Sequence, residues 1–233
     1  MFRPTLARDV AALGRVTDGA SCESVLRGIT RAVTRGVPGC SAGTAALWRE
    51  GPMLLAASHS ELIALVDRER ELRQGPSREA FATGRPVVVA ETLDEGRWPG
   101  YAVTAVRYGV RSILVLPIEV ERAALILCLY GVRPGVFTPS GGDALATVLA
   151  EQATVTLANI WDYQDVLTGQ AQMREALAGR AVIDQAKGII MRTSGCSAEA
   201  AFDELRRISQ HHQVKVVELA RLLIDEHRRD HAS

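Results

Sequence analysis

Residues able to do covalent or metal chemistry are sparse in this chain, and their spacing argues against such chemistry. The four cysteines, Cys22, Cys40, Cys128 and Cys196, stand singly. They form neither the CxxC pairing of a zinc or redox site nor a dense disulfide framework, and read as buried or incidental thiols. His227 and His231 have the spacing of a helical metal pair, but at a fraying end of the sequence solvated histidines are the rule. Gly141-Gly142-Asp143 has the opening of a cyclase GGD motif without its acidic-aromatic continuation. A Walker-type phosphate loop and a GxSxG nucleophile elbow are both missing from the sequence. The expectation is a protein without catalysis, metal or cofactor. One compositional detail points elsewhere: among 27 basic residues only Lys187 and Lys215 are lysines, and both lie in the last quarter of the chain.

The elements that must position these groups follow from apolar periodicity and turn chemistry. Val10, Leu13, Val16, Val25, Leu26, Ile29 and Val33 recur at helical intervals around a Thr-Asp-Gly break, predicting helix from Leu6 to about Arg35. Two short apolar runs, Gly43 to Trp48 and Met53 to Ser58, predict a β-hairpin. A charged helix over Glu61 to Arg73 and a second over Ser77 to Thr83, closed by Gly84, come next. Pro86 to Ala90 reads as a strand, Glu91 to Gly100 as loop, and Ala102 to Tyr108 as a short helix. Ser112 to Ile118 and Ala123 to Tyr130 are two further strands. Ser140 is a candidate N-cap for a helix that runs almost unbroken to about Met191. Its apolar seam is interrupted by Asn159, Asp162 and Gly169, which leaves a weak coiled coil. Gly195-Cys196-Ser197 breaks the chain before helices to about Gln210 and from Lys215 to Arg229.

The 233 residues, 47% hydrophobic and 23% charged, suit two folded domains. No apolar run approaches a membrane span and no signal-peptide stretch follows Met1, so a cytoplasmic protein without membrane contact is expected. The 27 acidic residues balance the basic ones, so bulk charge does not advertise a nucleic-acid partner. No flexible linker is visible, which places the domain boundary inside a helix near Trp161 to Leu167, dividing the chain into 1–163 and 164–233.

The stretch from Leu177 to Met191 (LAGRAVIDQAKGIIM), followed by Gly195-Cys196-Ser197, Ala200, Phe202 and Leu205-Arg206-Arg207-Ile208-Ser209-Gln210, closely resembles the ANTAR family. The resemblance implies an all-α three-helix module whose long first helix pairs two subunits into a homodimer. It further implies binding of paired hexaloop stem-loops in leader transcripts, which prevents transcription termination. Carried over residue by residue, it gives Lys187, Met191, Arg192, Arg206, Ser209, Gln210 and Lys215 as RNA-facing positions. The assignment suits the chemistry, because Lys and Arg bind phosphate while Ser and Gln suit the base edges of an unpaired loop. Ile183, Ala186, Ile190, Ala200, Phe202 and Leu205 are expected in the core. Where many relatives carry a basic run around the last lysine, this chain has Gln213-Val214-Lys215-Val216-Val217. That departure keeps open a rival reading, a dimeric partner-binding or small-molecule-sensing protein without RNA affinity.

The block from Ala20 to Ala158 resembles a GAF domain through Gly75-Pro76-Ser77, Ala82 to Pro86, Arg97-Trp98-Pro99 and Gly109 to Leu114. It implies an α/β sensor with an antiparallel sheet and flanking helices. The two resemblances together are those of GAF-ANTAR antitermination regulators of the actinobacterial type. Trp98, Tyr101, Tyr108 and Arg111 are candidates to line a pocket for an unidentified small molecule, with core packing as their other reading.

Overall fold

The computed structural model describes residues 20–49, 51–137 and 144–230. The expected early helix around Val10 to Val16, the Ser140 cap, the Gly141-Gly142-Asp143 segment and His231 lie outside them. The chain divides into two compact units, 1–163 and 164–233.

In the first unit, helix α1 (Cys22–Gly36) begins at a reciprocal cap: Ser21 Oγ accepts from the Ser24 amide at 3.2 Å, and the Ser21 amide donates to Ser24 Oγ at 3.1 Å. Strands β1 (Ala42–Trp48) and β2 (Pro52–Ala57) form the expected hairpin. A 3-10 turn (Ser60–Leu62) leads into α2 (Ile63–Leu72), which ends at Arg73 with a left-handed φ of 53°. Helix α3 (Pro76–Thr83), strand β3 (Val87–Val89) and a 3-10 turn (Thr92–Asp94) follow. Helix α4 (Pro99–Arg107) starts three residues earlier than the apolar pattern predicts, because Pro99 occupies its first turn, where a missing N–H costs nothing. Strands β4 (Ser112–Val120) and β5 (Ala123–Gly131) complete an antiparallel sheet of order β2-β1-β5-β4-β3.

The sheet is covered on both faces, which is why β1 and β5 read as near-continuous apolar runs. Alternate residues then divide into two cores. Ala45, Leu114, Leu116, Leu125, Leu127 and Leu129 face one way, against Leu26, Ile29 and Val33 of α1. The same core takes in Leu149, Ala153, Leu157 and Ile160 of helix α5 (Ala144–Ser194). Ala46, Trp48, Ile113, Val115, Ile126, Cys128 and Tyr130 face the other way, against Leu65, Ala80, Trp98, Tyr101 and Ala105. The two edge strands each begin at or beside a proline, Pro52 in β2 and Pro86 before β3. Proline withholds an N–H from a would-be pairing partner.

The second unit consists of the later part of α5 with α6 (Ala198–His212) and α7 (Val216–Asp230). Ser197 caps α6, its Oγ accepting from the Ala200 amide at 3.2 Å, and Gly195 turns the chain with φ +65°. The buried core is small, consisting of Ala186, Leu205, Ala220 and Ile224 with Val182, Ile183, Ile190, Val216 and Leu223 packed around it. Phe202 and Ala200 depart from expectation: Phe202 is 40% exposed and Ala200 is also exposed, while Ala201 is buried in their place. Ala201, Leu205 and Ser209, four residues apart, form the inward stripe of α6, and Ala200 lies about 100° round the helix from it.

Candidate functional site

In the helical unit a groove of about 760 Å³ opens between α5 and the start of α7, with Phe202 of α6 on its wall. Its floor depends on a close approach of two helices. Gly179 sits in α5 opposite Val217, whose Cγ2 would lie 3.3 Å from any Cβ placed there. Val217 is thus half-buried packing rather than a surface position, and Val214 is likewise half-buried. The groove brings together both lysines of the chain, Lys187 from α5 and Lys215 from the residue before α7. Asp184 accepts from Lys187 Nζ at 3.2 Å, one helical turn back. The Lys215 carbonyl accepts the Glu218 and Leu219 amides at 2.9 and 3.0 Å, which fixes that lysine at the head of α7.

The remaining sequence-predicted positions fall around this groove unevenly. Arg206 and Gln210 are exposed on α6, one and two turns beyond Phe202. Met191, 37% exposed, lies one turn beyond Lys187 on α5, with exposed Arg192 beside it. Ser209 does not fit the role the resemblance implies. It is 6% exposed, its Oγ donates to the Val214 carbonyl at 2.6 Å, and its own carbonyl accepts the Val214 amide at 3.1 Å. With Gln213 in the left-handed region at φ 54°, Ser209 locks the α6–α7 turn and presents no hydroxyl to a ligand.

The four pocket candidates of the first unit sit in different surroundings. Tyr101 is 2% exposed within the second core, and Tyr108 is 45% exposed. Arg111 is held by Glu91 through a two-pronged pair, Nε to Oε1 at 2.9 Å and Nη2 to Oε2 at 2.6 Å. The Arg111 hydrogen bond is the main reason the Glu91 carboxyl is lowered to about 2. Trp98 alone of the four lines a cavity of about 460 Å³, walled also by Trp48, Phe81, Arg73 and Arg78. Arg97 covers the Trp98 ring at 4.3 Å and is tied to Glu95 at 2.7 Å.

A buried polar row on the same side of the sheet escapes sequence reasoning. Glu69, Ser77, Thr44, Tyr101, Cys128 and Tyr130 are each under 5% exposed. Ser77 donates its amide to Glu69 Oε1 at 2.7 Å, so the carboxyl closes the N-terminus of α3. Ser77 Oγ meets Cys128 Sγ at 3.3 Å, and the Thr44 and Tyr130 hydroxyls lie 3.2 Å apart. A Cβ at Gly75 would overlap the Glu69 carboxyl, so glycine is what lets that side chain in. Burial pushes Glu69 up to about 7, against the pull of the Ser77 and Arg78 groups, and pushes the Cys128 thiol up to about 11.

A GAF domain model matches residues 19–158 and an ANTAR domain model matches residues 171–224. No curated protein matches the chain. Among solved structures, the chain is similar to CepR2 from Burkholderia cenocepacia, an N-acylhomoserine lactone dependent LuxR family transcription factor. The two are 20% identical over 66% of this chain and 89% of that one, with a TM-score of 0.46. The GAF domain from Acinetobacter phosphoenolpyruvate-protein phosphotransferase is 14% identical over 66% of this chain and 91% of its own, with a TM-score of 0.44. Free methionine-R-sulfoxide reductase from Neisseria meningitidis is 14% identical over 65% of this chain and 87% of its own, also at 0.44. Among the described residues no helix is long and apolar enough to cross a membrane, and no cluster of His, Cys, Asp and Glu could hold a metal ion.

Proposed function

Because the chain belongs to the GAF domain family and carries an ANTAR domain after it, the mark of RNA-binding antitermination regulators, we propose that it binds paired hexaloop stem-loops in leader RNA. In this reading residues 1–163 sense a signal, and residues 164–233 engage RNA so that a terminator does not form. The observation that carries it is the convergence of the two lysines, Lys187 and Lys215, on one groove of the ANTAR unit. Exposed Arg206, Gln210, Met191 and Arg192 flank that groove and extend the surface available to phosphate and loop bases. The chain acts as a homodimer through α5, where Val166, Met173 and Leu177 are each more than 40% exposed at steps of seven and four residues. A small molecule entering the GAF half supplies the signal.

Crosslinking RNA to the full chain in its own host and sequencing what is recovered tests the function directly. The expected product is enriched leader RNA with two adjacent hairpins, lost when Lys187 and Lys215 are both replaced by Ala. Recovery of the same RNA with the double variant, or of none above background with the parent, contradicts the assignment.

A further inference from the structure

Phe202 is the one large apolar side chain of α6 that the ANTAR core leaves on the surface, 40% exposed on the wall of the lysine groove. Burial does not explain it, since the inward stripe of α6 is complete with Ala201, Leu205 and Ser209. Its surroundings are an unusual mixture for a phosphate cradle. Arg180, Lys187, Lys215 and Arg221 line the groove, but so do the carboxylates of Glu175, Asp184 and Glu218. Three acids offset most of the charge of the four cations, so the groove is a poor channel for a continuous phosphodiester backbone, although its lysines can still hold single phosphates. They do suit a nucleobase, whose exocyclic amino group donates to a carboxylate while its π-face lies on an aromatic ring. Asp184 is placed for that role: its side chain is 57% exposed, and Lys187 engages one oxygen, Oδ1, leaving acceptor capacity on the other.

We propose that Phe202 is a stacking platform for one unpaired RNA loop base, and that Asp184, on the lining of the same groove, selects an amino-bearing base, adenine, cytosine or guanine, over uracil. Lys187 and Lys215, from the same lining, hold the flanking phosphates, and Arg206, one turn further along α6, continues the contact outward. The inference rests on RNA being the ligand of the ANTAR unit and adds a specificity-determining residue that the motif resemblance assigned to the core. It also replaces Ser209, whose hydroxyl is spent inside the fold.

The test uses the full chain and a pool of tandem RNA hairpins with randomised six-nucleotide loops, from which the best-bound sequence is taken as the probe. Phe202→Ala and Phe202→Leu are expected to weaken binding roughly ten- to hundredfold, with Phe202→Trp restoring it. The Leu variant keeps the apolar bulk, so an unchanged melting temperature accompanies the loss. 2-Aminopurine at the stacked loop position is quenched by the parent and not by Phe202→Leu, and Asp184→Asn flattens the preference at that position. Parent-like binding by Phe202→Leu overturns the platform while leaving RNA recognition standing. Conversion of a dimer to a monomer by Phe202→Leu, seen in sedimentation, overturns it in favour of a second copy of the chain as the occupant. Failure of the parent to retain any member of the pool removes the RNA reading itself, and the platform with it.

Discussion

The two units of this chain treat polar chemistry in opposite ways. The GAF unit packs both faces of a sheet and seals a row of polar side chains, Glu69, Ser77, Thr44, Cys128, Tyr101 and Tyr130, inside one of its two cores. The ANTAR unit rests on Ala186, Leu205, Ala220 and Ile224, and leaves Phe202, Lys215, Arg206 and Met191 toward solvent. A sealed polar interior is sensitive to protonation and to anything that enters it, which suits a receiver. A thin core under a charged and aromatic surface suits a unit that completes its contacts on a nucleic acid and on a second copy.

The thin core is the more fragile of the two. Below about 70–80 residues a single core supplies roughly 3–5 kcal/mol, and removing a buried leucine side chain costs about 2–5 kcal/mol. Leu205→Ala in the full chain therefore abolishes amide hydrogen-exchange protection throughout α6 and α7. Leu127→Ala, a deletion of the same size in the larger core, lowers protection in the sheet without erasing it. Retained protection of α6 in Leu205→Ala would show that the small cluster is not what holds the ANTAR unit.

Glu69 separates the two units by their response to pH. Its folded value, raised to about 7 by burial, lies above the 4.5 of an ordinary glutamate. Its stabilising contribution is therefore fully present below about 4.5 and is lost as the pH rises through about 7. The difference corresponds to about 3 kcal/mol. The melting temperature of the GAF unit in the parent should fall between pH 5 and pH 8, and Glu69→Gln should flatten that fall. The ANTAR unit, read separately by hydrogen exchange, should not follow it. A parent whose GAF unit melts at the same temperature across that range contradicts the buried, proton-holding carboxyl. A smaller effect belongs to the α6 cap: Ser197→Ala, which removes the acceptor for the Ala200 amide, should cost about 1 kcal/mol, seen as faster exchange in the first turn of α6.

Local chemistry made much of this architecture legible. The strands announced themselves as apolar runs bounded by turn residues, and Ser197 marked the start of α6. The failures share a physical cause, which is that burial is decided by partners far away in the sequence. Glu69 sits in a charged stretch that reads as a solvated helix, and it is groups at the head of the next helix, the Ser77 amide among them, that hold it inside. Ala200 and Phe202 have the composition of core residues, but the helical phase set by Leu205 turns both outward. Ser209 has the chemistry of a base reader and is consumed by a turn that its own sequence neighbourhood does not reveal. The motif brought Lys187 and Lys215 forward as separate positions, whereas the shared groove required three helices to be seen together.

If Lys187 and Lys215 bind RNA phosphates, the salt dependence of binding reports it most directly. Affinity of the full chain for the selected hairpin RNA, measured from low to physiological salt, should fall linearly on a logarithmic plot despite the zero net charge of the protein. Replacing Lys187 and Lys215 by Ala should weaken binding and reduce the magnitude of that slope by roughly one to two. The same affinity and the same slope in parent and double variant would contradict it.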